Sequence, residues 1–358
     1  MTHWHEEETR LLADLVAIPS FSGSEAAAVE HVRRWCAAAN LAVRVDDSGV
    51  SVELTGKAPG PTLAFASHLD VVPAGEGWSR SPFDPYIENG CLYGRGSGDA
   101  KASVTAMLLA ARDLAQGGGP SRGRLLVLLT LGEESRNPSM PAALENAGPI
   151  DAAVIGEPTG LNLAIAQRGL VIAELRARGE QRHPGHPAQP GAPAGAIETL
   201  AADLLRLNGL FASREHPLLG RAVATPTMLN AGVARNVTAA EAVATLDVRT
   251  TPDWTHAQVV AELKSAMQSE LHVLSDRLLP CETPEGSRLF QHAQKLRPNS
   301  VPYGSPTCSD WVFLRELDAV KCGPGDSHRS HRPDECVAVD QVAEARLFYA
   351  ALAREYLA

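Results

Sequence analysis

The chain has 358 residues, of which 44% are hydrophobic and 21% are charged, and its formal net charge at pH 7 is −10. This length accommodates two domains with sizeable cores. The negative charge argues against a nucleic-acid partner and against anionic membranes, and no apolar run reaches the roughly 20 residues of a membrane span. The six cysteines include no Cys-x-x-Cys pair, so we expect a reduced, cytoplasmic protein without a disulfide framework.

The N-terminal region predicts two helices followed by a hairpin. Apolar residues at helical spacing predict a helix over residues 6–18. Ser24 is placed to cap a second helix that runs to about Asn40. Residues 41–55 alternate between apolar and polar around Asp46-Asp47-Ser48-Gly49, which indicates two strands joined by a tight turn.

Three short apolar runs further along the chain each end in ionisable side chains. In chain order these groups are His68 and Asp70, then Glu133 and Glu134, then Glu157. Near-continuous apolar runs are typical of strands buried in a parallel sheet, and such sheets form their sites at the strand ends. Asp99 follows a glycine-rich stretch and opens a helix between the first two runs. The repeated placement predicts one shared site.

The residue types at these strand ends suit metal chemistry. His68 and Asp70 point the same way in an extended chain, as a metal ligand and its orienting partner would. The adjacent Glu133 and Glu134 point to opposite sides, so one can bind a metal while the other stays free as a base. The glycine-rich stretch before Asp99 lacks the spacing of either nucleotide-binding fingerprint, which argues against a phosphate loop.

The sequence pattern changes from about Gly169. Residues 170–179 indicate a strand of an antiparallel sheet, and further strands and two helices follow, which predicts an inserted α+β domain. We therefore expect a catalytic domain formed by residues 1–167 and 279–358, with residues 168–278 inserted into it. A closing helix is predicted from about Val339 to Tyr356.

Five motifs together resemble a family of zinc-dependent hydrolases. They are Ser67-His68-Leu69-Asp70, Gly94-Arg95-Gly96-Ser97-Gly98-Asp99, Gly132-Glu133-Glu134, Gly156-Glu157-Pro158-Thr159, and His331 followed by Asp334-Glu335. In this order they are similar to acetylornithine deacetylase, succinyl-diaminopimelate desuccinylase, aminoacylase and carboxypeptidase G. Residues 156–166, 303–310 and 323–331 are most similar to the acetylornithine deacetylase subgroup.

The resemblance implies an α/β fold with a mainly parallel, mixed sheet flanked by helices, as in zinc exopeptidases, and an inserted lid and dimerisation domain. It implies two Zn²⁺ ions, which Co²⁺ or Mn²⁺ could replace. His68 and Glu157 would hold one ion, Glu134 and His331 the other, and Asp99 both. His331 is preferred over the neighbouring His328 because it alone stands correctly before Asp334-Glu335. A cis peptide bond after Asp99 is also implied.

The resemblance also implies roles around the metal ions. Asp70 would orient His68, and Glu133 would act as general base in amide hydrolysis, taking a proton from water and returning it to the leaving amine. His183 would donate to the oxyanion, although Pro184 and Gly185 depart from the family pattern and leave His186 as an alternative. The implied substrate contacts are Arg249, which would bind the α-carboxylate, together with Asn236, Arg329 and Ser305.

The function expected from this resemblance is removal of an acyl group from a small N-acyl amino acid by a homodimer that assembles through the inserted domain. N-acetylornithine deacetylation in arginine biosynthesis is the leading hypothesis. Succinyl-diaminopimelate desuccinylation and N-acetylcitrulline deacetylation are the alternatives. A dipeptidase fits less well, and a non-catalytic binding protein on the same fold would be expected to lack Glu133 or a ligand position.

Overall fold

The structure is a computed structural model that describes residues 5–187, 191 and 194–358. Residues 1–4, 188–190, 192 and 193 lie outside the described part of the chain. The chain divides into two compact units. The first unit comprises the chain up to Ile165 together with Thr283–Tyr303 and Ser309–Ala358, and the second comprises Ala166–Glu282 and Gly304–Cys308.

Both units contain helices. In chain order they are α1 (Glu6–Val16), α2 (Ala26–Ala38), α3 (Lys101–Gln116), α4 (Ser139–Ala147), α5 (Ala196–Arg206), α6 (His256–Ala266), α7 (Arg288–Leu296) and α8 (Val339–Tyr356). A short 3-10 helix spans Asp310–Leu314.

The strands form three sheets. In chain order they are β1 (Val43–Asp46), β2 (Gly49–Thr55), β3 (Thr62–His68), β4 (Tyr86–Glu88), β5 (Cys91–Tyr93), β6 (Arg124–Thr130), β7 (Ala152–Ile155), β8 (Ala164–Gln167), β9 (Gly169–Arg178), β10 (Val223–Ala231), β11 (Glu241–Thr250), β12 (Glu270–Leu278), β13 (Cys281–Glu282), β14 (Tyr303–Ser305), β15 (Asp318–Lys321) and β16 (Cys336–Ala338).

The first unit is built on a mixed sheet whose centre is parallel. The strand order is β1-β2-β6-β3-β7-β15, with β1, β2 and β6 paired antiparallel and β6, β3, β7 and β15 paired parallel. Strand β3 is buried at every position, as expected for a strand covered on both faces. Helices α3 and α8 pack against each other, and α3 also packs on β3 and β6. The α/β fold predicted from the sequence is confirmed.

The parallel register brings the predicted site to one edge of this sheet. His68 lies opposite Thr130, and Ala66 lies opposite Ile155. The chain segments that follow β3, β6 and β7 therefore leave the sheet side by side. These segments carry the ionisable groups that the sequence pattern singled out.

The second unit is an antiparallel sheet in the order β10-β11-β9-β12. Strands β9 and β11 alternate between buried and half-buried positions, which is the pattern of a sheet with one face on a core. Helices α5 and α6 pack on this sheet and complete a separate hydrophobic core. The edge strand β10 is exposed at almost every position.

Local expectations were met except at one helix start. The closing helix has the predicted bounds, and the hairpin turns between Asp46 and Gly49, which pair with each other. The prediction that Ser24 caps α2 is wrong, because Glu25 occupies the N-cap and no side chain caps this helix. The Glu25 carboxylate instead accepts a hydrogen bond from the Gly132 N–H at 3.0 Å. Among the described residues, no helix is both long and apolar enough to cross a membrane.

Candidate metal centre

Four segments of the first unit deliver ionisable side chains to the sheet edge. His68 is the last residue of β3, and Glu157 follows β7 after one residue. The chain turns sharply after β6 at Gly132, whose φ is +69° and where an added Cβ would meet the Pro138 ring at 2.9 Å. Asp99 stands just before α3 and forms the expected cis peptide bond with Ala100.

The five predicted ligand residues lie in one continuous chain of contacts. Glu157 Oε1 lies 3.8 Å from His68 Nε2, which lies 3.5 Å from Asp99 Oδ1. The other oxygen of that carboxylate, Asp99 Oδ2, lies 3.6 Å from His331 Nε2. His331 Nε2 in turn lies 3.0 Å from Glu134. Asp99 thus presents one carboxylate oxygen to each histidine.

Asp70 contacts both His68 and the turn that carries Glu133 and Glu134. His68 Nδ1 lies 3.0 Å from the Asp70 carbonyl oxygen and 3.4 Å from its carboxylate. The same carboxylate accepts hydrogen bonds from the backbone N–H groups of Glu133 and Glu134, both at 3.0 Å, and from the Ser22 hydroxyl at 2.6 Å. Asp70 therefore fixes the turn that carries both glutamates as well as the neighbouring imidazole, a second contact that the sequence did not predict.

Glu335 and Arg95 form a buried ion pair beside Asp99. Arg95 Nη1 lies 2.7 Å from Glu335 Oε2, and both side chains are almost fully buried. The Glu335 carboxylate also accepts hydrogen bonds from the backbone N–H groups of Gly96, Gly98 and Asp99. Glu335 and Arg95 stood in the quoted motifs, but no role was predicted for them; their place inside two of the five motifs was the available signal.

Asp310 joins the two ends of the loop that carries Glu133. Its buried carboxylate accepts hydrogen bonds from the Thr130 hydroxyl at 2.8 Å and from the Asn137 amide at 3.0 Å. Thr130 ends β6, and Asn137 lies beyond Glu134. Sequence reasoning quoted Asp310 only as part of a family-like stretch and did not predict its contact with this loop.

The carboxylates of the cluster carry more charge than their surroundings balance. Burial raises the pKa of Glu133 well above its usual range, and the negative charges of Glu157 and Asp310 add to the increase. Burial and the nearby Asp99 charge raise the pKa of Glu157 to about 8 and also raise the pKa of Glu134. The Glu133 carboxylate accepts no hydrogen bond from any residue that the structure describes.

The two histidines respond to these carboxylates in the opposite sense. Burial opposes protonation of His68, but the neighbouring carboxylates of Asp70 and Asp99 outweigh burial and raise its pKa well above the usual value. The hydrogen bond with Glu134 raises the pKa of His331 to about 9. The carboxylates around each imidazole therefore favour a positive charge on its ring.

The donor set fits divalent metal ions. His68 Nε2 is buried without a hydrogen-bond partner and faces two carboxylates. Ligand atoms of His68, Asp99 and Glu134 all lie within 4.8 Å of one another. Nitrogen and carboxylate oxygen donors without thiolates suit zinc, cobalt or manganese, and the positive charge of such ions would balance the excess of carboxylates.

The predicted site residues of the second unit lie on its surface. His183 is exposed, and its ring lies 5.5 Å from that of His186, with its Nδ1 accepting the Gly185 N–H. Asn236 is also exposed. The Arg249 guanidinium donates two hydrogen bonds to the Asp247 carboxylate, at 2.7 and 3.0 Å. A substrate carboxylate at Arg249 would therefore share this guanidinium with Asp247.

The remaining two predicted substrate contacts, Ser305 and Arg329, each interact with a residue nearby in the sequence. Ser305 is buried, and its hydroxyl lies 3.0 Å from that of Thr307. Arg329 is exposed, but its guanidinium donates to Cys336 Sγ at 3.2 Å.

A solved structure shares this fold. A dinuclear metal-binding peptidase of the M20 family from Bacillus subtilis, the YXEP protein, superposes with a TM-score of 0.76 over 99% of this chain and 98% of its own, at 17% sequence identity. At 17% sequence identity, this structural similarity shows that the two proteins share a fold and shows nothing further. The sequence goes further, because the model of peptidase family M20/M25/M40 matches residues 64–355. The chain belongs to this family and is a hydrolase.

Curated relatives give a finer comparison. Succinyl-diaminopimelate desuccinylase 2 of Ruegeria sp. (strain TM1040) is 31% identical over 326 residues, which cover 83% of this chain and 80% of that protein. A [LysW]-lysine/[LysW]-ornithine hydrolase proposed for Aeropyrum pernix is 28% identical over 350 residues, which cover 95% of this chain and 93% of that protein.

Proposed function

We propose that the protein is a two-metal deacylase that hydrolyses the amide bond of an N-acyl diamino acid. The observation that carries this proposal is the continuous contact chain from Glu157 through His68, Asp99 and His331 to Glu134. The M20 family generally depends on a dinuclear metal centre. In this proposal His68 and Glu157 hold one ion, Glu134 and His331 hold the other, and Asp99 contributes to both.

Glu133 is the general base of the proposed reaction. Its carboxylate takes the proton of the attacking water and passes it to the leaving nitrogen. Its freedom from hydrogen bonds to the described residues supports this role, because both carboxylate oxygens are then free to take part in proton transfer. The metal pair would supply Lewis acidity toward the acyl carbonyl and the attacking water. Asp70 orients His68, as proposed from the sequence.

The relatives favour succinyl-diaminopimelate as the substrate over N-acetylornithine, which was the leading expectation from the sequence. The desuccinylase at 31% identity supports the first compound. N-acetylornithine remains the second candidate, supported by the deacetylase-like stretches at residues 156–166, 303–310 and 323–331 and by the ornithine-related hydrolase. Arg249, Asn236, Arg329, Ser305 and one of His183 or His186 are the proposed substrate contacts.

The second unit is proposed to serve as lid and dimerisation domain, with residues 168–278 as its predicted extent. Its edge strand β10 supports this role, because a long exposed edge is a ready surface for pairing with another strand. Met228 and Leu229 on this strand are 60% and 62% exposed. Sedimentation of the full chain is expected to give a dimer, and a monomer at micromolar concentration would contradict it.

The test of the function is a substrate panel. The protein, reconstituted in turn with Zn²⁺, Co²⁺ and Mn²⁺, is assayed for amine release from N-succinyl-LL-2,6-diaminopimelate, N-acetylornithine, N-acetylcitrulline and an unacylated dipeptide. We expect the first compound to be turned over with the highest kcat/KM. Faster turnover of N-acetylornithine would favour the second candidate. Exclusive activity on the dipeptide, or turnover of none of the four, would overturn the proposal.

A further inference from the structure

A cavity of about 660 Å³ opens in the first unit next to Glu157. Its walls come from the segment that follows β7, from the residues around Tyr303 and from the loop before His331. The polar side chains among the lining residues are Thr159, Asn162, Tyr303, Asp326, Ser327, His328 and Gln341. No role has been assigned to Asp326 above.

Backbone pairing holds Asp326 beside the Glu157 segment. Thr159 and Asp326 form an antiparallel bridge, and the Gly160 N–H donates to the Gly325 carbonyl at 2.6 Å. The Leu161 N–H donates to the Gly323 carbonyl at 2.9 Å. Asp326 therefore stands opposite Thr159, a residue only two positions after Glu157.

The Asp326 carboxylate has no positive partner. One of its oxygens accepts the His328 N–H at 2.9 Å, and the carboxylate forms no ion pair with any residue that the structure describes. The neighbouring guanidinium of Arg329 is turned to Cys336 Sγ. Apart from His328, the lining residues include no basic side chain. An exposed, unpaired carboxylate in a cavity without Lys or Arg favours a cationic ligand.

Tyr303 adds a second feature that suits a cation. Burial, with contributions from Cys322 and Asp326, raises the pKa of the Tyr303 phenol to about 12, so this group is neutral at physiological pH. A neutral phenol can accept a hydrogen bond from an ammonium group, and its ring face attracts cations. Asp326 and Tyr303 line the same cavity.

We propose that this cavity binds the ammonium group at the far end of the substrate's side chain, with Asp326 as its counter-ion. The inference rests on the proposed function and deepens it, because it restricts the substrates to N-acyl amino acids with a second amino group. Both candidate substrates carry such a group. A diaminopimelate head group also carries a carboxylate, for which Ser327 and Asn162 offer donors in the same lining.

The experiment compares substrates that differ only in this ammonium. N-acetylornithine and N-acetylnorvaline share the same carbon chain, and norvaline lacks the distal amine. In the metal-loaded wild type we expect a kcat/KM at least about tenfold higher for N-acetylornithine, as one charge-assisted contact would give. Asp326→Asn should remove most of that preference through KM and leave N-acetylnorvaline turnover within about twofold. The kcat/KM of succinyl-diaminopimelate is measured in the same assays to determine the effect of its additional distal carboxylate.

A matched control and a binding measurement keep the outcomes distinct. Asp14→Asn, an exposed carboxylate on α1, removes the same charge elsewhere in the first unit and should keep the substrate preference. Calorimetry with free ornithine and free norvaline needs no turnover, and Asp326→Asn should weaken ornithine binding alone. Equal losses for both ligands, or no preference in the wild type, would refute the subsite. Absence of turnover with intact, Asp326-dependent ornithine binding would refute the proposed function and retain the subsite.

Discussion

The two units treat carboxylates in opposite ways. In the first unit, Glu133 is half-buried and accepts no hydrogen bond from the described residues, and its partial removal from water raises its pKa. In the second unit, Asp203 is fully buried, but it accepts hydrogen bonds from the Gln268 and Ser269 N–H groups and pairs with Arg206 at 2.6 Å. Burial alone would raise the pKa of Asp203, yet these donors outweigh burial and lower it.

This difference is the one expected between a carboxylate proposed to take part in the reaction and one that holds the fold together. A buried acid whose lone pairs are all used stabilises the structure in its charged form. A buried acid left without donors costs folding free energy and is retained where its charge is used for binding or proton transfer. The following experiments test whether the two kinds of acid behave as different classes.

The largest effect is expected from Glu133→Gln. The amide keeps the shape of the side chain but cannot take a proton from water, so kcat should fall about 10³-fold, within the usual range for loss of a general base. Metal content, measured by atomic emission, should stay unchanged. Glu145→Gln, an exposed glutamate on α4, serves as control and should keep kcat. Activity near the wild-type rate in Glu133→Gln would remove the assigned base.

Glu335→Gln should destabilise the first unit by about 3 kcal/mol, because it leaves Arg95 buried without its charge partner. It also weakens the acceptor that holds the Asp99 N–H, so metal affinity should fall with stability. Denaturant unfolding and metal titration report the two quantities. Glu344→Gln removes the partner of Arg297 in an exposed pair and should cost less than about 1 kcal/mol. Similar losses of unfolding free energy in Glu335→Gln and Glu344→Gln would contradict the expected difference between the buried and the exposed ion pair.

Metal affinity should rise with pH, because binding must displace protons. The metal-free protein has a Glu157 pKa of about 8 and a His331 pKa of about 9, so both groups hold protons at pH 7 that a metal ion would release. Affinity should therefore increase up to about tenfold per pH unit for each proton released and level off above pH 9. Calorimetry in buffers of different ionisation enthalpy counts the protons. A pH-independent affinity would show that the cluster is already deprotonated.

Asp203→Asn should have the smallest effect on activity and a moderate effect on stability. The amide loses the charge that serves two N–H donors and Arg206, so the second unit should lose about 1–3 kcal/mol. Because the folded-state pKa is lowered, this stabilisation is present above the unfolded pKa and is lost as pH falls through the folded pKa. kcat should not change. The exposed Asp253→Asn is the control for unfolding measurements, and a loss of kcat in Asp203→Asn would break the comparison.

Much of the fold and the clustering of the candidate ligands could be predicted from the sequence, because both depend on local pattern. The buried strands, the closing helix α8 and the candidate ligand residues were each visible as apolar runs, spacing or motifs. The parallel sheet then brings neighbouring strand ends together without further information.

The supporting contacts could not be predicted because their partners are chosen by the tertiary fold. Arg95 and Glu335 are 240 positions apart, and no local rule pairs them. Ser24 is a good cap by residue type, yet the structure begins α2 without a capping side chain and uses Glu25 to hold Gly132 instead. Arg249 was predicted to be available for a carboxylate, and its neighbour Asp247 on the same strand already binds it.

The interruption of the first unit by the second has a consequence for biosynthesis. Four of the five proposed ligands leave the ribosome before the second unit is translated, whereas His331 and α8 emerge only after it. The nascent chain therefore carries a group of mutually repelling acids beside an unfinished core while the later-made unit can already fold on its own segment. The proposed metal centre can therefore be completed only after the segment that carries His331 has been released.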